Sequence, residues 1–505
     1  MSVRLYPVQP NSMPRVGYRV RVNGMDAPTD AARVSKVPYN RRWPGRQRTL
    51  DQTEGAEFLS MYADEPLTFE VTLPRPSEHV VIRPESLGIV PELLSPTTVR
   101  FTMREPVYCT VEPYERHEAL HLFVDRSEFT RPDTEMPSVL YYGSGIHDVG
   151  QIELTDGQTL FLDEGAVVYA CVTAKDASHI AIRGAGILDN SRNLEQYLYE
   201  CHAENNNTAV NNVRRQHTVQ LEYCTDVTIE GITIRDSLVY NIRPIACRDI
   251  TIRDVKIIGC WRFNSDGIDM HNCENVLIEH CFLRTFDDSL CVKGFDCYYD
   301  GDVEAAVRAA MYRNGQAYDT FRHVLVRGCT IWNDWGKCLE IGAETRAEEI
   351  CDIVFEDCDI IHVTGSILDC CNVDYADVHD VTYRNIRVEL DETIPAPKIQ
   401  ALDDIPYEND RPDYTPALIR SEVIFHHEYS AGGTRRGVNR DLLFENIDII
   451  GGRKPLVVFA GFSREAGCRD ITVRNITVDG KRLSSEEDFH LVIGDFCDHI
   501  RFVFP

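Results

Sequence analysis

VTIEGITIRDSLVYNIRPIACRDITIRDVKI, residues 227–257, holds one eight-residue pattern twice. The pattern is apolar, any, apolar, any, any, apolar, any, apolar, as in VTIEGITI from Val227 and ITIRDVKI from Ile250. Each copy contains two short alternating segments separated by a polar bend, which describes two strands meeting at an angle. The pattern recurs as IAIRGAGI from Ile180, VLIEHCFL from Val276, VLVRGCTI from Val324 and IVFEDCDI from Ile353. It returns as VTYRNIRV from Val381, LLFENIDI from Leu442 and ITVRNITV from Ile471. Successive starts lie 47, 23, 26, 48, 29, 28, 61 and 29 residues apart. A strand-forming unit that repeats every ~20–30 residues, with no helical period, is a solenoid whose apolar positions face inward. The expected fold class is therefore all-β, with a right-handed parallel β-helix as its main body. The long gaps are either two merged coils or one coil carrying an insertion.

The repeat also accounts for three cysteines. Cys281, Cys329 and Cys358 occupy the third apolar slot of their copies, as Val255 and Ile386 do in theirs. They read as an inward ladder of small hydrophobes. No CxxC pair occurs among the 18 cysteines, so a zinc or dithiol motif has little support.

The N-terminal part lacks the repeat. RVGYRVRVNG, LTFEVTLPRP, HVVIRP, TTVRFTM, YCTVEPYE and ALHLFVD are short strands punctuated by turn residues, the pattern of a β-sandwich. The division expected is an N-terminal β-sandwich domain over residues 1–130 and the parallel β-helix over 131–505, with GQTLFLDEGAVVYACV as the first coil. Two insertions interrupt the solenoid, near 295–322 and 391–440, the first with a short helix around EAAVRAAM. Insertions of that length in a compact domain are usually functional or disordered.

A net charge of −28 argues against nucleic acid and anionic membrane as partners, since both call for basic patches. No apolar run is long enough to span a bilayer, and MSVRLYPVQPNS has no apolar signal core. A cytoplasmic location with reduced thiols is expected. The oligomeric state is open, a homodimer being one option.

NSDGIDMHNCENVLIEHCFLRTFDDSL, residues 264–290, carries the chemistry. Asp266 precedes Asp287 and Asp288 by 21 and 22 residues, about one coil. In a solenoid that places the three acids side by side, ~4.8 Å apart in the stacking direction. Clustered carboxylates raise one another's pKa, so one stays protonated beside an ionised neighbour. That acid–base pairing is what glycosidic cleavage requires. Turn-forming aspartates and a calcium site are the alternatives from spacing alone.

NSDGID followed by a DD pair resembles the polygalacturonase family of glycoside hydrolases, which carries NTDGID-like and GDD-like motifs on consecutive coils of a right-handed β-helix. The sandwich-plus-solenoid layout is also similar to the dextranase and isopullulanase group. The resemblance implies that Asp287 is the general acid and that Asp266 and Asp288 hold and activate the attacking water, with inversion at the anomeric centre. It implies a carbohydrate substrate and no cofactor or metal. Several positions depart from the family. Phe286 replaces the glycine of GDD. The family's GHG histidine is missing from DWGKCLEIGAET, residues 334–345, where Lys337 and Glu340 stand. Its Arg-x-Lys pair is missing from IIHVTGSILDCCNVDYAD, residues 360–377. Recognition of a uronate carboxylate therefore lacks its usual residues, and a neutral or differently substituted sugar is expected.

Arg262 and Lys293 flank the acids and are candidate substrate contacts or ion-pair partners of the aspartates. Lys337 and Glu340 are candidates for binding sugar hydroxyls, or a structural ion pair. Trp335, Trp261 and Tyr298 are candidate platforms for a sugar ring, or packing residues. The leading reading is an inverting glycoside hydrolase. A polysaccharide lyase on the same fold and a non-catalytic carbohydrate-binding solenoid are the alternatives.

Overall fold

The computed structural model describes residues 3–41, 48–194, 217–295, 308–402, 404–426, 430, 435–451 and 453–505. Nearly all regular structure in them is β. From Val139 onward most strands form one continuous parallel system in which strands of one coil pair with those of the next, which is the expected β-helix.

Three ladders run the length of the solenoid. The first stacks Val219–Glu222, Ile242–Ile245, Ile268–His271, Leu290–Lys293, Leu339–Ala343, Leu368–Asn372 and Ala417–Val423. The second stacks Ser178–Gly184, Thr225–Glu230, Arg248–Arg253, Glu274–Glu279, Thr320–Arg327, Glu349–Glu356, Asp377–Glu389, Val438–Ile450 and Cys468–Val478. The third stacks Ile187–Asp189, Thr233–Arg235, Lys256–Ile258, Phe282–Thr285, Thr330–Asn333 and Asp359–His362. Alternate residues point inward, and the inward set forms one core. Ile232, Val255, Cys281, Cys329, Cys358, Ile386, Ile447 and Ile476 lie in it as the expected ladder.

The long gaps are single coils with insertions. Ile180 pairs directly with Val227, Val276 with Val324 and Val381 with Leu442. The solenoid also starts two strands earlier than the repeat suggested, because Val139–Tyr142 already pairs with Thr159–Leu162 and Gly145–Leu154 with Ala166–Lys175. Of the helix expected in the first insertion, the described end, residues 308–311, is helical. Part of the second insertion docks elsewhere: Lys398–Gln400 pairs in parallel with Tyr39–Arg41 of the N-terminal part.

The N-terminal part forms two sheets. One orders Val3–Leu5, Thr53–Ala63, Leu120–Asp125, Tyr108–Glu112 and Val81–Arg83, with Asp30–Ser35 also on Thr53–Ala63. The other orders Met25–Ala27, Arg19–Val22, Leu67–Thr72, Thr98–Met103 and Glu92–Ser95. Their inward side chains share one core, with Leu59 and Leu122 from the first sheet and Phe69 and Phe101 from the second. The sequence reading missed Asp30–Ser35 and Thr53–Ala63. Outer residues of the first sheet pack on the third ladder of the solenoid, Phe58 and Phe123 meeting Ile258, Phe282 and Trp332. Buried ion pairs cross this contact, Lys256 with Asp125 (2.9 Å) and His362 with Glu112 (2.8 Å).

An outer column of the second ladder alternates charge with every coil. Arg183, Glu230, Arg253, Glu279, Arg327, Glu356, Arg384, Glu445 and Arg474 are successive Cα partners. Glu230 bonds to both Arg183 and Arg253, and Arg327 reaches Glu279 at 2.7 Å. The alternation is visible in the repeat itself, at the residue after the second apolar position. It favours one stacking order, since skipping a coil sets like charges opposite each other. Glu230→Ala leaves two arginines facing each other without their shared acid. It is expected to destabilise the fold by about 1–3 kcal/mol, read as a lower thermal unfolding midpoint. An unchanged midpoint would mean that the column is solvated and contributes nothing.

Candidate active site

The first ladder brings the three aspartates together. Asp266 lies just before Ile268–His271, and Asp287 and Asp288 lie just before Leu290–Lys293 on the next coil. The approach loops are locked in register by their own backbone: Gly267 N–H donates to the Asp288 carbonyl (2.8 Å) and Ile268 N–H to that of Ser289 (3.0 Å). Buried asparagines of the preceding and the following coil hold the two loops. Asn241 Nδ2 donates to the Asp266 carbonyl (2.6 Å), and Asn333 Nδ2 to the Asp287 carbonyl (2.7 Å). Gly336 lets the following coil approach, because a Cβ there would sit 2.6 Å from the Asp287–Asp288 peptide. Lys337 N–H can then donate to Asp288 Oδ1 at 2.9 Å.

One carboxylate oxygen of each of Asp266, Asp287 and Asp288 lies within 4.8 Å of the other two. Asp266 and Asp287 are buried, and Asp288 is partly exposed. The Asp266 Oδ1 atom has no hydrogen-bond partner. Asp287 Oδ1 accepts the Asp288 N–H (3.1 Å), and Oδ2 accepts Asn40 Nδ2 from the N-terminal part (3.3 Å).

Lys293 is the cation of the cluster. Its Nζ lies 2.9 Å from Asp269, 3.5 Å from Glu344, 3.7 Å from Asp266 and 4.0 Å from Asp288. It is 4% exposed, so its role is to neutralise buried acids. Burial works against its charge, but Asp269 and Glu344 outweigh that and hold its pKa well above the ordinary lysine value. Burial drives the acids the other way. It pushes Asp287 up to about 8, helped by the Asp288 charge and opposed by Lys293. It lifts Asp266 well above the carboxylate range, with Asp269 and Asp287 adding to the effect. It raises Asp269 to about 6 against the pull of Lys293. Burial and mutual repulsion therefore favour the protonated forms of these three acids.

The other candidates separate into neighbours and bystanders. Lys337 bonds to Glu340 and lies 3.6 Å from Asp369, which in turn is 4.0 Å from Arg420. Cys291, Glu340, Asp369 and Arg420 are successive register partners on the outer face of the first ladder. Lys337 and Glu340 thus form a structural ion pair beside the acids. Arg262 turns to Asp236 and the Ser237 carbonyl instead of the three aspartates, with Trp261 stacked on it. Trp261 is 6% exposed and is a packing residue. Trp335 is partly buried; its Nε1 donates to the Lys398 carbonyl (2.9 Å) and its ring stacks on Phe286. Tyr298 lies outside the described residues.

Sequence reasoning missed Asp269 as a cluster member, and Glu344, Asp369 and Arg420 altogether. For Asp269, Asp369 and Arg420 the available signal was their shared outer position with Glu340 along the first ladder. It also missed Asn40 and Arg48, which no local pattern marks. Arg48 is buried, donates to the Trp261 carbonyl (2.9 Å), and places its guanidinium 4.1 Å from the Phe286 ring centroid. Phe286, the departure from GDD, is where the N-terminal part grips the loop of the paired aspartates.

The three aspartate oxygens are close enough to ligate a hard cation. The Lys293 ammonium already lies among these carboxylates and competes with an ion for the same charge.

Comparison with known proteins identifies the family. The family model described as Glycosyl hydrolases family 28 matches residues 121–393. That is more than half of the chain, and the chain belongs to this family. A probable polygalacturonase from Vitis vinifera is 35% identical over 86 residues, 17% of this chain and 18% of that protein. A polygalacturonase from Gossypium barbadense is 25% identical over 201 residues, 37% of this chain and 46% of that protein. The chain thus matches less than half the length of either relative. Among solved structures, Dex49A from Penicillium minioluteum matches over 98% of this chain and 100% of its own, with a TM-score of 0.62 at 12% identity. At that identity the likeness is one of fold, and it extends through the N-terminal sheets.

The proton on Asp287 has a measurable linkage. The unfolded chain releases it near the ordinary value of ~3.9, and the folded chain near about 8. Its contribution to stability is fully present below the lower value, declines as pH rises between the two, and is gone above the upper one. Asp287→Asn should flatten the fall of the unfolding midpoint between pH ~5 and ~8. Parallel profiles for the two proteins would show that Asp287 ionises normally.

Proposed function

We propose that this protein hydrolyses the glycosidic bond of a neutral glycan, with Asp287 as general acid. The observation that carries the reading is the close grouping of Asp266, Asp287 and Asp288 around buried Lys293. Asp287, protonated at neutral pH, gives its proton to the leaving oxygen. Asp288 is the most exposed of the three, and its oxygens face the Lys337 N–H and the Lys293 ammonium, contacts that suit a negative charge. It takes the proton of the attacking water, which Asp266 orients. This is a single displacement with inversion, as the family resemblance implies.

Spacing favours a second course for the same bond cleavage. Oxygens within 4.8 Å are nearer to the ~5–5.5 Å of double displacement than to the ~6.5–9.5 Å usual for inversion. In that course Asp288 attacks the anomeric carbon directly and configuration is retained. Proton NMR of the first product anomer distinguishes the two. An inverted anomer supports the water-activating pair, and a retained one replaces it with a nucleophilic Asp288.

The neutral substrate rests on charge. Lys293, Lys337, Arg262 and Arg420 are each paired with acids already. No Arg-x-Lys pair stands in residues 360–377, where the family's basic pair is expected. A uronate carboxylate entering this site would meet the partly exposed Asp288, with none of these four cations held ready for it. The described cysteines form no disulfide, which supports a reducing, cytoplasmic setting.

Reducing-sugar release over neutral and uronate oligosaccharides tests the proposal. Wild type should release sugar from a neutral member of the panel. Asp287→Asn should lower the rate by ~10²–10⁴, the usual contribution of a general acid. Equal release by the variant would overturn the role of Asp287. An ultraviolet-absorbing unsaturated product would make the enzyme a lyase. Binding without release would make the solenoid a carbohydrate-binding module.

A further inference from the structure

Glu349, Cys351 and His379 lie apart from the aspartates, on the second ladder. Glu349 and Cys351 are two residues apart on Glu349–Glu356 and share one face. Cys351 is the Cα partner of His379 on the next coil. One ligand atom from each residue lies within 4.8 Å of the other two. His379 Nε2 is 2.8 Å from Glu349 Oε1, and its Nδ1 is 2.7 Å from Asp380 Oδ2.

The setting is unusual for this face of the solenoid. The outer column through these positions runs Arg248, Glu274, Arg322, Cys351, His379 in successive partners. Its charge alternation stops at the thiol and imidazole. The arginines on either side are turned to other acids: Arg322 to Glu274 at 2.9 and 2.8 Å, and Arg440 to Asp377 at 2.9 and 3.0 Å. Neither supplies the cation that Glu349 faces.

We propose that Glu349, Cys351 and His379 bind a divalent transition-metal ion of borderline softness, of the zinc class. Thiolate, imidazole nitrogen and carboxylate oxygen are each donors that zinc takes, and three of them leave a fourth position open. Asp380 supplies the outer carboxylate that such an imidazole normally carries, fixing the Nδ1–H tautomer and leaving Nε2 to the ion. Two ligands sit on adjacent paired strands, so the donors are pre-positioned. The Glu349 side chain is 42% exposed, which leaves a path for entry. The bound ion cross-links two coils and displaces the thiol proton. With no ion bound, His379 bridges Glu349 and Asp380, so an ion would take the place of the Glu349 contact at Nε2.

Cobalt(II) added to chelator-treated full-length protein is the test. One equivalent should produce a thiolate-to-cobalt band in the near ultraviolet, and zinc should abolish it. Cys351→Ser and Cys351→Ala should lose the band, while Asp288→Asn should keep it. Asp380→Asn should weaken binding by ~10–100-fold. Zinc should raise the unfolding midpoint of wild type and of Asp288→Asn, and not that of the Cys351 variants. No band, a band that survives Cys351→Ala, or a zinc effect lost in Asp288→Asn would each overturn the site.

Discussion

Parallel pairing of each coil on the next is the constraint on which this molecule depends. It turns a separation of about one coil in sequence into one strand spacing in space. Asp266, Asp287 and Asp288 become neighbours because Gly267 and Ile268 bond to the backbone of Asp288 and Ser289. The side chains follow the backbone register. The same rule places Glu340, Asp369 and Arg420 in one outer column and Cys351 against His379. It also sets the alternating arginines and glutamates that specify which coil follows which.

Such a scaffold can carry chemistry that a softer fold could not. Asp266, Asp269 and Asp287 are buried together, and desolvation raises all three. Lys293 compensates part of that charge, and retained protons compensate more. Removing a partner from a buried charged group is strongly destabilising, so the cluster persists only because backbone bonds and the donations of Asn241 and Asn333 hold its loops. Burial is also what lifts Asp287: an exposed aspartate would have lost its proton long before neutral pH.

The N-terminal sheets take part in this arrangement. They pack on the third ladder through Phe58 and Phe123, and from that anchored position Asn40 reaches Asp287 and Arg48 covers Phe286. A glycine in place of Phe286 could not receive the guanidinium. The second insertion closes the same side, with Lys398–Gln400 paired to Tyr39–Arg41 and Trp335 bonded to its backbone. Two segments distant in sequence therefore wall the loop that carries the paired aspartates.

The repeat alone determined the β-helix, because its period-two apolar pattern has one way to bury its inward face. It also determined the ladder of Cys281, Cys329 and Cys358 and the coincidence of three aspartates, since coil length converts directly into position. The alternating charges were equally legible, written one per repeat. Tertiary structure decided the rest. Arg262 and Lys293 look alike beside the acids in sequence, yet one turns to Asp236 and the other sits within the carboxylates. Lys337 and Glu340 became a pair through the outward face they share beside Asp369. Asn40 and Arg48 carry no local mark at all. Such roles depend on side-chain direction and on contacts between segments hundreds of residues apart, and neither follows from spacing along a single chain.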